Sequence, residues 1–281
     1  MDILGYPAFE LLPSALYLLL LLFLSFRPKN REESSASIGL IQTYMLFALA
    51  VHGWVLHDSV FTDQGFVFGF AQDLSLIVWV GLAFYWFQSW FLPISSLRWL
   101  AVLFAIVCSL LPSLFPGTLI SPKAVADPWF KAHFIVATIA VGLLSLAALQ
   151  AMLMSVQDRA LHRQLAIIPN SRFAHWLEDL PPLMTMEKIL FRILTVGFAL
   201  LTLTVFSGLF FSQTLFGKAL FFDHKTIFGI LSWLMFAGLL IARQLSGLRG
   251  LTAIRWVLGS FAMLLLAYVG SRFVIEVLLQ R

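Results

Sequence analysis

Eight stretches of mostly apolar residues, at approximately 8–26, 38–57, 66–88, 97–112, 129–155, 189–211, 225–243 and 254–278, take up most of this chain. A helical run of about 20 such residues matches the hydrocarbon thickness of a bilayer, and a helix satisfies its own backbone where no water can. The 281 residues are 60% hydrophobic and 11% charged with a mean hydropathy of +0.93, which leaves too little polar surface for a water-soluble domain. The fold expected is all-α: a polytopic membrane helical bundle of about eight transmembrane helices, forming a single integral membrane domain over 1–281. Asp2 and Glu10 stand where a signal peptide carries basic residues, so the first stretch is expected to stay as a helix.

The basic residues are unevenly shared between the two sides of these spans. Arg27, Lys29, Arg31, Arg98, Arg159, Arg163, Arg172, Lys188, Arg192, Arg243, Arg249 and Arg255 flank one side, against Lys123, Lys131, Lys218, Lys225, Arg272 and Arg281 on the other. The richer side belongs in the cytoplasm, which puts both termini outside. That bias accounts for the net charge of +4 and implies no nucleic-acid partner. The long inward connection 156–188 carries Leu161, Leu165, Ile168, Phe173 and Trp176 and ends in Pro181-Pro182, the pattern of a cytoplasmic amphipathic linker. No phosphate-binding loop, glycine-rich dinucleotide signature, HExxH or internal repeat is present. Cys108 stands alone inside a span, so a CxxC pair, an intramolecular disulfide and a thiolate metal cluster are excluded.

Histidine is the informative residue. His162 and His175 fall in the inward linker, whereas His52 and His57 lie near the outer end of the second span, His133 near the start of the fifth, and His224 at the entry to the seventh. Ionisable groups inside a membrane are costly, which makes function their default explanation. His52 and His133 each lie about five residues inside a span, roughly 8 Å below the boundary, while His57 is turned about 140° from His52. Two imidazoles at matched depth on facing helices are what an axial haem-ligand pair requires. Asp73 and Arg272 are expected at the same level, the first to fix a histidine tautomer and the second, with Lys225, to pair with haem carboxylates. The alternatives are helix-packing histidines and a buried Asp73–Arg272 ion pair. Trp233, with Trp54 and Trp79, either lines a cofactor pocket or fills the core. A second function has the outward histidines, with Asp58, Asp63 and Asp73, binding a divalent cation in a transporter or its accessory subunit. A third is a structural subunit without a ligand.

The segment FFDHKTIFGILSWLMFAGLLIARQLSGLRG at 221–250 resembles the C-terminal region of cytochrome c assembly membrane proteins of the CcsA and HemX type. There an Asp-Pro-Lys-Glu-Thr entry to a span follows a tryptophan-rich outer loop. Asp223-His224-Lys225-Thr226, then Ser232-Trp233, then a basic Gly-Leu-Arg-Gly turn follow the same order. Together with PPLMTMEK at 181–188 and AYVGSR at 267–272, the likeness is to the YpjD-like branch of the bacterial inner membrane. The resemblance implies a haem-handling protein, not an enzyme, with lipid, haem and other cytochrome-assembly or membrane-complex subunits as partners. It implies an outward-facing haem site in which His52 and His133 match the span histidines and His224 an outer one. The chain departs from the family at 212–222, SQTLFGKALFF, which holds no tryptophan. With no CxxCH for covalent attachment, the expected cofactor is haem b.

Overall fold

The computed structural model describes residues 7–26, 35–62, 65–91, 97–120, 128–162, 180–216, 224–270 and 273–274. Among the described residues, seven helices are long and apolar enough to cross a membrane: Ile38–Val60, Phe70–Gln88, Leu97–Leu114, Pro128–Leu161, Leu183–Gly208, His224–Ser246 and Gly250–Gly270. The chain is an all-α polytopic membrane protein, and it divides into two compact units, Met1–Leu92 with Arg98–Pro128, and Pro93–Leu97 with Trp129–Arg281.

The first unit begins with a short turn α1 (Pro7–Glu10) and helix α2 (Leu12–Phe26). The expected first span 8–26 is therefore broken at Leu11. Pro13 explains the break, because a proline has no N–H to give to the preceding turn and its ring clashes there. Leu11 instead offers its carbonyl to Ala15 N and Ser14 Oγ at 3.0 and 2.9 Å. α2 is described over 15 residues, about 22 Å of helix, up to Phe26. Helices α3 (Ser35–Val60), α4 (Phe70–Gln88) and α5 (Leu97–Leu114) follow.

A small sheet was not expected. Strands β1 (Phe61–Thr62), β2 (Gly65–Phe68) and β3 (Thr118–Ile120) pair antiparallel in that order, with Phe61 opposite Phe66 and Phe68 opposite Thr118. The third span, placed at 66–88, thus gives up its first residues to a strand. Phe-Val-Phe between Gly65 and Gly69 alternates with the period of a strand, and glycine at both ends disfavours helix. Gly117 permits the pairing with β3: a Cβ there would lie 2.8 Å from the backbone carbon of Phe68.

Helix α3 is joined to its neighbours in this unit by side-chain to backbone bonds. Tyr44 Oη donates to Leu16 O at 2.9 Å, Trp79 Nε1 to Leu49 O at 2.8 Å, and Trp86 Nε1 to Gln42 O at 3.0 Å. Gly53 lets Trp79 lie flat against α3, since a Cβ would come within 2.9 Å of the indole.

The second unit holds α6 (Pro128–His162), α7 (Leu183–Phe216), α8 (His224–Ser246) and α9 (Gly250–Leu265), which widens into a π turn at Leu266–Gly270. Buried Ala137, Ala140, Ala147 and Ala151 thin one face of α6, and small residues allow close helix approach in lipid. Gly197 of α7 comes close there too, for a Cβ on it would meet the Leu144 side chain at 2.9 Å. Ser232 Oγ donates to Ser260 O at 2.8 Å and ties α8 to α9. Arg243 of α8 forms an ion pair with Glu187 of α7 and lies over the Phe191 ring, 3.6 Å from its centroid. Residues 156–162 and 183–188, the ends of the expected amphipathic linker, continue α6 and α7 as regular helix; 163–179, with His175, lie outside the described residues.

Candidate functional site

His133 occupies the second turn of α6, half-buried, and its Nδ1 lies 2.7 Å from Ser207 Oγ of α7. Ser207 has one hydroxyl hydrogen, directed at its own helix: Oγ donates to Leu203 O at 2.7 Å and shares with Thr204 O at 3.1 Å. With that hydrogen on Leu203 O, the oxygen accepts from Nδ1–H toward His133, and in this tautomer Nε2 is the nitrogen in base form. Gly208 stands beside the imidazole edge, where a Cβ would lie 3.5 Å from His133 Cε1.

At the start of α8, His224 and Lys225 are both exposed. The Lys225 charge is near enough to act on His133, and its ammonium lies over the Tyr268 ring, 5.3 Å from the centroid. The π turn of Leu266–Gly270 carries Tyr268. His133, Lys225 and Tyr268 are thus brought together within the second unit by three different helices. Trp233, further along α8, is occupied by its neighbours: Nε1 donates to Thr202 Oγ1 at 2.9 Å, and the indole stacks on Phe198 at 6.0 Å and meets the edge of Phe206 at 6.5 Å. Arg272 lies outside the described residues.

His52 and Asp73 are in the first unit. His52, 1% exposed, has a partner on each ring nitrogen: Tyr17 Oη of α2 at 3.1 Å from Nδ1, and Ser75 Oγ of α4 at 2.9 Å from Nε2. The two ring nitrogens of His52 are thus met by Tyr17 and Ser75. Asp73 is buried near the start of α4, its amide bonded to Gly69 O at 3.0 Å. His57 is exposed, and its ring leans on Phe61 at 5.0 Å. Among the described residues no three His, Cys, Asp or Glu side chains converge as a metal-holding group.

The sequence reading missed Tyr17, Ser75, Ser207 and Tyr268. Serine and tyrosine in an apolar span look like ordinary packing residues, and only the level at which they meet a histidine would have singled them out.

A family model for cytochrome C assembly protein matches residues 40–279. The chain belongs to the cytochrome c assembly protein family. Its relatives include an uncharacterized 28.8 kDa protein of Azospirillum brasilense, 34% identical over 151 residues, which are 54% of this chain and 53% of that protein. The inner membrane protein YpjD of Escherichia coli K12 is 30% identical over 171 residues, 61% of each chain. The cytochrome c biogenesis protein CcsA of Synechocystis is 29% identical over 86 residues, 31% of this chain and 26% of that protein. The matches thus span about half to three fifths of the first two relatives. No solved structure matches. The family, the likeness to YpjD and the seven apolar helices make this a multi-pass protein of the bacterial inner membrane.

Proposed function

We propose that this member of the cytochrome c assembly family handles haem, holding it non-covalently as a b-type group near the outer face rather than catalysing a reaction of its own. What supports the assignment is the state of His133. A metal-ligating histidine gives one ring N–H to a fixed acceptor and keeps the other nitrogen as a lone-pair donor. His133 has the partner this needs, with Nδ1 2.7 Å from Ser207 Oγ, whose hydroxyl has Leu203 O within reach. The donor set fits the group in two further respects: an imidazole suits iron, and Lys225 supplies a cation for a haem carboxylate. Arg272, as a second cation, and His224, as an imidazole at the rim, belong to the same proposal. Haem would bring redox-active iron to this corner. The chain's own residues orient the imidazole and offer positive charge.

The test is an absorption spectrum of the purified protein, oxidised and dithionite-reduced, with a pyridine haemochrome assay and acid-acetone extraction on the same sample. The expected result is a Soret band and α-band in the wild type, extractable colour, and strong loss of haem in His133→Ala. A colourless wild type that also fails to take up added haem would overturn the proposal. So would a His133→Ala variant with wild-type haem content.

A further inference from the structure

His52 and His133 look alike in the sequence, each an imidazole inside a span, yet their surroundings differ. Ser207 Oγ has two carbonyls of its own helix within hydrogen-bond distance, and Ser75 Oγ has none among the described residues. Many hydroxyls in these helices bond the carbonyl one turn back: Thr138, Ser145, Thr195, Thr204 and Ser260 do so at 2.7 to 2.9 Å. Ser75 bonds His52 instead, and neither it nor Tyr17 makes another hydrogen bond among the described residues. Tyr17 and Ser75 are 0% and 1% exposed. A neutral His52 with two neutral hydroxyls has three hydrogens for two hydrogen bonds. Whichever tautomer is present, both ring nitrogens are engaged, and no lone pair is left facing open space.

We infer that His52 is the keystone of a closed polar lock between α2, α3 and α4, and not a ligand of the iron. Three helices each contribute one member, and all three are buried. The lock matters most to α2, which meets α3 through Tyr17 and through Tyr44 Oη on Leu16 O. A buried polar group without a partner is expensive in lipid, so the Tyr17–His52–Ser75 chain specifies the register in which α2 docks. A haem at His52 would need Nε2 to abandon Ser75 or Nδ1 to abandon Tyr17.

Three full-length variants in one lipid nanodisc preparation test this, with hydrogen exchange of residues 12–26 and the haem spectrum measured on each. The spectral arm rests on the haem function proposed above; the exchange arm does not. Tyr17→Phe keeps the imidazole but opens the lock, so exchange over 12–26 should quicken roughly tenfold while the Soret and α-band positions stay fixed. His52→Ala should quicken exchange at least as much, again with unchanged bands. His52→Gln offers an amide donor and acceptor to the same partners but no iron-ligating nitrogen, so it should restore slow exchange and keep the wild-type spectrum. Loss of low-spin haem in His52→Ala and His52→Gln, recovered by added imidazole, would make His52 a ligand and overturn the inference. Wild-type exchange over 12–26 in Tyr17→Phe and His52→Ala would remove the lock. If His52→Ala does not accumulate, Tyr17→Phe and His52→Gln decide the matter by the same two measurements. A wild type without haem would sink the proposed function and leave the exchange arm standing.

Discussion

Ser207 Oγ lies 2.7 Å from His133 Nδ1, so removing the hydroxyl takes away the acceptor of Nδ1–H and strands that half-buried donor. Ser207→Ala should therefore cost about 1–3 kcal/mol of stability. Its haem affinity should fall about tenfold or more, as when an outer partner of a ligating histidine is lost. Haem titration followed at the Soret band measures the second effect and thermal unfolding the first. Ser207→Thr retains both bonds and should restore affinity; failure of that rescue would separate Ser207 from the imidazole. His57 is the control at this scale. Its ring leans on Phe61 and faces outward from α3, so His57→Ala should purify with wild-type haem content. Haem loss in that variant equal to the loss in His133→Ala would place a ligand where the geometry has only an exposed ring.

Between elements, two close fits carry more than their size suggests. Trp79 cannot swing aside from Gly53, because its indole N–H is held by Leu49 O at 2.8 Å. Gly53→Ala puts a methyl group where the nearest indole carbon is 2.9 Å away, and the overpacking should cost about 1–3 kcal/mol. A lowered unfolding temperature in detergent is the expected result, and an unchanged one would mean that α3 and α4 are less closely packed than described. In the second unit, Arg243 is held by Glu187, by Leu248 O at 3.2 Å and by the face of Phe191. Glu187→Gln keeps the shape and removes the charge, so a loss of about 1.5–3 kcal/mol is expected from one charge-assisted bond. The same unfolding assay reads it, and it should leave the haem spectrum alone.

At the scale of the whole molecule, the distribution of Lys and Arg orients the chain in the membrane. Thr62 and Ser246 are exposed positions assigned to opposite sides, the first outside and the second in the cytoplasm. In a Cys108→Ser background, a membrane-impermeant maleimide added to intact cells should label Thr62→Cys and not Ser246→Cys. The reverse pattern would invert the topology and move His133 and Lys225 to the cytoplasmic side. Exposed Ile227, Leu231, Leu234 and Ile241 on α8 suit acyl chains, which is why hydropathy alone finds this helix so easily.

The class of this protein and the family it belongs to were legible without coordinates, because a lipid solvent imposes length and apolarity on every span and leaves those marks in the sequence. The same holds for the entry at His224-Lys225, whose charged residues interrupt an apolar run and so stand out. Two things were decided only by tertiary structure. Residues 65–68 became a strand because 118–120, far along the chain, supply the hydrogen-bonding partner that a local apolar pattern cannot reveal. The break of the first span at Leu11 is local, since Pro13 stands in the sequence itself. The difference between His52 and His133 was invisible in one dimension: depth along a helix says how far an imidazole is from water, but not which hydroxyl meets it. That depends on where Ser75, Tyr17 and Ser207 arrive from other helices, and on whether each hydroxyl hydrogen has already gone to a backbone carbonyl.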